Sequence, residues 1–281
     1  MSKKVCFTKM QGLGNDYIYI NCMESRPDEP EKLAVSMSDR HFGVGADGII
    51  LIEPSQKADF FMSVYNSDGS RAAMCGNGIR CFGKYVYEKG LTDKNIISIE
   101  TLAGIRTLTM KVMEGVVTEV TVDMGSPIFS PEKIPVKGFC DTVINAPLVL
   151  GKYTYYINCV SMGNPHAVIF VDNVTDIELE IVGRVLENHR IFPERTNVEF
   201  VEVIDKKNLV MRVWERGSGP TLACGTGACA SLVMAVLNGL ANESANVHML
   251  YGSVRVKWDR ESSLVYLTGG ADTVFEGEYL A

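Results

Sequence analysis

The chain has 281 residues, 46% of them hydrophobic and 22% charged, with a formal net charge of -7. That composition excludes a disordered chain, a collagen and a coiled coil, and the acidic balance argues against a general electrostatic grip on nucleic acid or an anionic membrane. The start, Met1-Ser2-Lys3-Lys4-Val5-Cys6-Phe7-Thr8-Lys9-Met10, has no apolar segment behind its charge pair, and no uninterrupted apolar run reaches the roughly 20 residues of a membrane span, so the expectation is a cytoplasmic protein.

In chain order, the pattern predicts a strand over 16–21, a helix over 31–38, strands over 48–52 and 60–65, and a helix over 76–89. Strands over 115–122, 153–160 and 167–171 follow, then a helix over 178–188. Strands over 197–203 and 209–214, a helix over 225–238 and a strand over 253–258 come next, the strands being examples from a sequence that reads mostly as short strands. The strands carry β-branched and aromatic residues between Gly, Asn and Asp turns. Strands following one another without long helical crossovers predict mixed or antiparallel sheets rather than a doubly wound parallel one.

The chain has eight cysteines and four histidines. Reduced thiols are the default for a chain of this length without an export signal. No C-x-x-C, H-x3-H or H-E-x-x-H occurs, so no metal site is expected. Gly43-Val44-Gly45-Ala46-Asp47-Gly48 matches G-x-G-x-x-G, but a strand-like run follows where a dinucleotide fingerprint needs a helix.

The informative feature is an internal echo. Tyr65 to Cys81 contains Met74-Cys75-Gly76-Asn77-Gly78, and Trp214 to Cys229 contains Ala223-Cys224-Gly225-Thr226-Gly227. Each Cys-Gly-x-Gly follows a strand and a turn-rich loop and precedes a helical run. Residues 75 and 224 stand 149 positions apart, about half the chain. This predicts a duplicated domain, with a boundary near Gly125-Ser126-Pro127 dividing halves 1–124 and 125–269.

A cysteine at a helix start sits beside free N–H groups and the positive end of the helix dipole, which favour anions and lower a thiol pKa from its free value of roughly 8.5. Two such sites suit the inversion of a stereocentre, with one thiolate removing a proton and the opposite thiol returning one. The N–H groups of Gly76, Asn77, Gly225 and Thr226 would receive the substrate carboxylate. A lone cysteine is most often a small buried hydrophobe. That is the expectation for Cys6, Cys22, Cys140 and Cys159, and core positions are expected for Cys81 and Cys229. Polar turn residues cluster around the motifs: Asn15, Asn66, Asn164, His166, Asn197 and the pair Glu215-Arg216.

These segments resemble the diaminopimelate epimerase family, amino-acid epimerases independent of pyridoxal phosphate. The resemblance rests on Phe7 to Tyr17, Asp39 to Gly48, Asn66 to Arg80, Ser161 to His166, Arg195-Thr196-Asn197, Glu215 to Ala230 and Gly269-Gly270-Ala271. It implies an α/β fold of two pseudo-symmetric domains, each a mixed, barrel-like sheet around a central helix, with the active site in a cleft between them. It also implies that a last strand, about 270–281, returns to the first domain. Interconversion of LL- and meso-2,6-diaminopimelate without a cofactor is implied, in lysine and peptidoglycan precursor biosynthesis, by a protein expected to be a homodimer.

Carried over by motif, Cys75 and Cys224 are the acid–base pair. Asn15, Asn66, Asn164, Asn197, Glu215 and Arg216 hold the substrate with the four N–H groups above, while His166 and Glu215 tune the cysteines. Gln11, Gly48 and Trp214 depart from the commonest family pattern and are expected at the pocket edge. The alternatives are another racemase of this fold, of histidine or proline type, and a thiol redox or ligand-binding protein.

Overall fold

The computed structural model describes residues 4–280. Its contacts divide the chain into two compact units, one running to Val122 and resuming at Gly269, the other spanning Asp123–Thr268. The first unit holds β1 (Lys4–Gly12), β2 (Asn15–Asn21), α1 (Pro30–Ser38), β3 (Gly48–Glu53), β4 (Phe60–Asn66), β5 (Arg71–Ala72), α2 (Gly76–Glu88), β6 (Ile96–Thr101), β7 (Gly104–Met113) and β8 (Val116–Asp123). The second holds β9 (Ala146–Leu150), β10 (Tyr153–Ser161), β11 (Pro165–Val171), a 3-10 turn (Val174–Asp176), α3 (Leu179–Glu187), β12 (Asn197–Asp205), β13 (Asn208–Glu215), β14 (Gly219–Thr221), α4 (Gly225–Leu237), β15 (Ser244–Met249), β16 (Gly252–Asp259) and β17 (Leu264–Gly269). The last strand, β18 (Asp272–Leu280), lies antiparallel to β1 in the first unit, from Lys4 opposite Leu280 to Gln11 opposite Asp272.

The two units share one topology. In the first, β1–β2, β3–β4, β4–β5, β6–β7 and β7–β8 pair antiparallel, while β2–β3 and β4–β6 are parallel. In the second, β10–β11, β12–β13, β13–β14, β15–β16 and β16–β17 are antiparallel and β11–β12 and β13–β15 parallel. Here β9 takes beside β10 the place that β18 takes beside β1. The fold is thus α/β, with a mixed sheet repeated in two units.

Each sheet wraps a helix. β3, Gly-Ile-Ile-Leu-Ile-Glu, is buried at every residue, the continuous apolar run of a strand covered on both faces. α4 is apolar around almost its whole circumference and packs against β10 to β13 and against β15 and β16, as a central helix must. α2 occupies the same position against β1, β2 and β7. α1 and α3 cover the outside, α1 against β3 and β4 and α3 against β12, β13 and β14. Pro30 starts α1 at a position where its missing N–H costs nothing.

Several expectations fail for physical reasons. Cys6 and Cys140 are exposed, whereas Cys22 and Cys159 are buried; Cys6 lies on β1 opposite Glu278, on the solvent side of the pleat. Gly48 lies opposite Asn66 in the β3–β4 pair. It is buried in β3, and a Cβ there would lie 2.1 Å from the Tyr65 carbonyl oxygen and 2.8 Å from the Tyr17 ring. Trp214 is a core residue, packed on Gly183 of α3 and donating through Nε1 to Glu187 at 2.7 Å. Among the described residues no helix is long and apolar enough to cross a membrane, and no cluster of acidic, histidine and cysteine side chains is arranged to hold a metal.

Candidate active site

Cys75 and Cys224 are the N-cap residues of α2 and α4, with nearly equal extended backbones (φ -129°, ψ 114° and φ -127°, ψ 110°). Each carbonyl accepts the first helical hydrogen bond, from Ile79 and Ala228 respectively, both at 2.9 Å. Glycine at the third helical position has a steric cause. A Cβ on Gly78 would lie 2.6 Å from Ile50 Cδ1, and one on Gly227 would lie 2.8 Å from Glu199 Oε1. Without a Cβ, the first turn presses onto the strand beneath and keeps its amides beside the sulfur. The amides that open the two helices, of Gly76 and Asn77 and of Gly225 and Thr226, give each helix start an affinity for a carboxylate.

In the first unit, the Cys75 sulfur accepts from the Gly78 N–H at 3.3 Å and donates to Asn15 Oδ1 at 3.2 Å. Asn15 is oriented by Asp47, whose carboxylate accepts from Asn15 Nδ2 at 2.8 Å. Arg40 joins Asp47 to Asp16, at 3.0 Å and 2.8 Å, and Lys9 pairs with Asp16 at 2.9 Å. Burial works to raise the Asp16 carboxyl, but Arg40 and Lys9 outweigh it and hold the group below its usual range. Asn66 closes the turn after β4, its Nδ2 donating to Ser70 Oγ at 3.0 Å. Gln11 is fixed by Asp272 and the Gly14 N–H, at 2.7 Å and 2.9 Å.

The second unit is built differently around its cysteine. The Cys224 thiol is pushed well up, first by burial and then by the carboxylates of Glu215 and Glu199, with the Thr226 hydroxyl opposing. That hydroxyl lies 3.5 Å from the sulfur. Burial also raises the Glu215 carboxyl, against hydrogen bonds from Thr221 and Cys224. Glu215 and Arg216 make no surface ion pair with each other: Glu215 turns in toward Thr221, and Arg216 donates from its guanidinium to the Glu194 carbonyl at 3.1 Å. Asn197 is engaged at both ends of its amide, donating to the Pro165 carbonyl at 2.8 Å and accepting from the Arg216 N–H at 2.9 Å. His166 is fully buried between Glu199 Oε1, 2.7 Å from Nδ1, and Asn164 Oδ1, 3.0 Å from Nε2. Asn164 in turn donates to Thr226 Oγ1 at 3.3 Å.

The sequence singles out the residues around each cysteine, and the structure collects them in two sets, each within its own unit. It adds Asp47, Glu187 and Glu199. The signal for Glu199 is the period of two along β12, which places it on the same face as Asn197. Glu187 carries no local signal. It is tied to the site through Trp214 and through the Gly217 N–H at 2.8 Å, from the far end of α3.

The sequence profile described as diaminopimelate epimerase matches residues 7–130 and 158–274. A diaminopimelate epimerase of Acetivibrio thermocellus is 54% identical over 272 residues, 97% of each chain. One from Phocaeicola vulgatus is 53% identical over 281 residues, 99% of each. Among solved structures, a phenazine biosynthesis protein of the PhzF family from Bacillus anthracis superposes with a TM-score of 0.72 at 19% identity, covering 99% of this chain and 100% of that one. A hydroxyproline epimerase from Agrobacterium vitis superposes with a TM-score of 0.71 at 15% identity, covering 99% and 93%. The two structures share the fold, and the sequence matches carry the closer relationship: this chain belongs to the diaminopimelate epimerase family.

Proposed function

We propose that the chain interconverts LL- and meso-2,6-diaminopimelate, with Cys75 and Cys224 working on opposite faces of one α-carbon. The observation that carries this is the pair of N-cap cysteines on equivalent helices of a duplicated framework, in a chain about half identical to diaminopimelate epimerases. In the forward direction one sulfur takes the α-proton as thiolate while the other gives its thiol proton to the opposite face, and the reverse reaction exchanges the roles. The amides of Gly76, Asn77, Gly225 and Thr226 hold the α-carboxylate as carbanion character develops, where fixed donors act without reorganisation. Asn15, Asn66, Asn164, Asn197, Glu215 and Arg216 recognise the substrate, and Arg216 suits its distal carboxylate. The scheme draws on side chains and backbone alone. A cytoplasmic homodimer is the corresponding physiological form, in lysine and peptidoglycan precursor synthesis.

The test is deuterium uptake at the α-carbon of each stereoisomer in D2O. Wild type exchanges and epimerises diaminopimelate, and Cys75→Ser and Cys224→Ser each stop turnover. Exchange of proline or histidine but not of diaminopimelate would overturn the substrate assignment. Full turnover in either serine variant would overturn the two-base scheme. Sedimentation velocity reads the dimer, and a monomer at micromolar concentration refutes that part.

A further inference from the structure

The second unit holds a chain of polar side chains anchored on a buried carboxylate, Glu199, where the first unit has Ile50. It runs from Glu199 Oε1 to His166 Nδ1 (2.7 Å), from His166 Nε2 to Asn164 Oδ1 (3.0 Å), from Asn164 Nδ2 to Thr226 Oγ1 (3.3 Å), and from Thr226 Oγ1 to Cys224 Sγ (3.5 Å). Glu199 and His166 are completely buried, and Glu199 Oε2 has no hydrogen-bond partner. At the corresponding positions, 149 residues earlier, stand Ile50, Tyr17, Asn15 and Asn77. There the asparagine touches its cysteine directly and is backed by a carboxylate, which can only accept. Asn15 therefore always turns its carbonyl to Cys75. The framework folds with an isoleucine in the Glu199 position, so the buried carboxylate is not a requirement of the fold.

The donor inventory of these side chains allows the chain two self-consistent directions. With His166 doubly protonated, Nε2–H donates to Asn164 Oδ1, Asn164 Nδ2 donates to Thr226, and the Thr226 hydroxyl is free to donate to a Cys224 thiolate. This is the direction the structure shows. With His166 neutral and Nδ1–H held by Glu199, Nε2 can only accept. Asn164 then turns its amide over, its carbonyl takes the Thr226 hydroxyl, and Thr226 accepts from a Cys224 thiol. We propose that Glu199, His166, Asn164 and Thr226 form a relay whose direction reverses with the charge of His166, matching the last hydroxyl to the charge of Cys224, and that Glu199 is the positioning residue anchoring it. No proton passes along the chain; the coupling is orientational, through one amide rotation and one hydroxyl rotation. The charged and titratable groups facing His166 and the sulfur are Glu199 from β12, Glu215 from β13 and Cys224 from α4.

The inference rests on Cys224 acting as an acid–base group, but its test needs no substrate. The rate of iodoacetamide alkylation of Cys224 is followed against pH in the full chain by peptide-resolved mass spectrometry. Thr226→Val should move the midpoint of that profile upward, lowering the rate at pH 8 at least threefold. Glu199→Gln should also move it upward, although the loss of that carboxylate's charge by itself acts downward, so the sign of the shift separates the relay from the direct field. The double variant should move it no further than the larger single change, because both cut one chain. Thr226→Ser, which keeps the hydroxyl, should follow wild type. Additive shifts from the two single variants, or profiles unchanged in both, would overturn the relay. If Glu199→Gln fails to fold, Thr226→Val and Asn164→Asp carry the same comparison. Absence of diaminopimelate turnover in wild type with the coupled shifts intact would sink the substrate assignment and leave the relay standing.

Discussion

Glu187→Ala tests whether a carboxylate outside the substrate contacts fixes the loop that carries them. Glu187 ends α3 with its side chain 6% exposed. One oxygen accepts from Trp214 Nε1 at 2.7 Å, and the other accepts from the Gly217 N–H at 2.8 Å and from Arg195 at 3.3 Å. It thereby fastens Gly217, next to Arg216, and Arg195, two residues before Asn197. A hydrogen bond to a charged group contributes roughly 1.5–3 kcal/mol. Two buried donors left without their acceptor make about 3–6 kcal/mol, and the half-exposed Arg195 adds little. Water can enter from the adjoining cavity of about 560 Å3 and satisfy part of the loss, which brings the expected destabilisation to about 3–4 kcal/mol. Both tryptophans, Trp214 and Trp258, lie in the second unit, so urea unfolding followed by intrinsic fluorescence reads this unit directly. KM for diaminopimelate should rise at least tenfold with a smaller fall in kcat, and Glu187→Gln, which keeps one acceptor oxygen, should fall between. A loss under about 1 kcal/mol with KM unchanged would refute the clamp. The equivalent residue of the first unit is Ser38, whose buried hydroxyl has no partner, so the fold itself does not demand an anion there.

Gly48→Ala should destabilise the first unit by about 3 kcal/mol, at the upper end of ordinary overpacking, because its Cβ meets a backbone oxygen that cannot move aside; circular dichroism against urea measures it. At pH 8 alkylation should reach the exposed Cys6 and Cys140 early, while Cys22 and Cys81, both pushed up to about 12 chiefly by burial, resist until unfolding; rapid labelling of Cys81 would contradict its place inside α2. Asp59 is held down to about 2 by the Lys94 ammonium and by Ser98. A depressed folded value contributes stability in full above the unfolded carboxylate pKa of about 3.9 and loses it as pH falls through about 2. Asp59→Asn should accordingly flatten the acid unfolding curve between pH 4 and pH 2 and leave its neutral plateau lower.

Three of the four helices carry their own boundary: Pro30 opens α1, and a Cys-Gly-x-Gly opens both α2 and α4, while α3 has no capping side chain at its start. Among the strands that pass unnoticed, β1 with Lys4 and Lys9 and β7 with Arg106 and Lys111 have their pattern diluted by charge. These side chains sit on the solvent face or leave the sheet to pair, as Lys9 does with Asp16. The cysteines are legible because two matching contexts state them twice. Glu199, Asp47 and Glu187 are not, because each acts through a neighbour far along the chain, and a single sequence shows no partner for a buried carboxylate. For Trp214 and Gly48 the sequence shows a departure from the family pattern but not the packing that accompanies it, against Gly183 and Glu187 for the one and against Tyr65 and Tyr17 for the other.

The duplication explains why Gly48 and Asn197 differ. Tyr17 faces Gly48 across the parallel pair β2–β3, and His166 faces Asn197 across β11–β12, at positions again 149 apart. The Tyr17 ring lies 2.8 Å from where a Gly48 Cβ would be. The Tyr65 carbonyl oxygen and the Tyr17 ring together demand glycine there, and the smaller imidazole removes the ring's share of the obstacle opposite Asn197. The slot pair is chosen jointly, ring with partner, and this makes a direct prediction. His166→Tyr alone should overpack against Asn197 and cost about 1–3 kcal/mol beyond the lost Glu199 contact. Asn197→Gly alone loses the bonds to Pro165 and Arg216. Combined, the two should be less destabilising than their sum by at least about 1 kcal/mol, within the range seen for residues in contact, as read by urea unfolding of the tryptophan signal. Strict additivity would mean that the two units reach their common topology through unrelated packing, and that the 149-residue correspondence ends at the backbone.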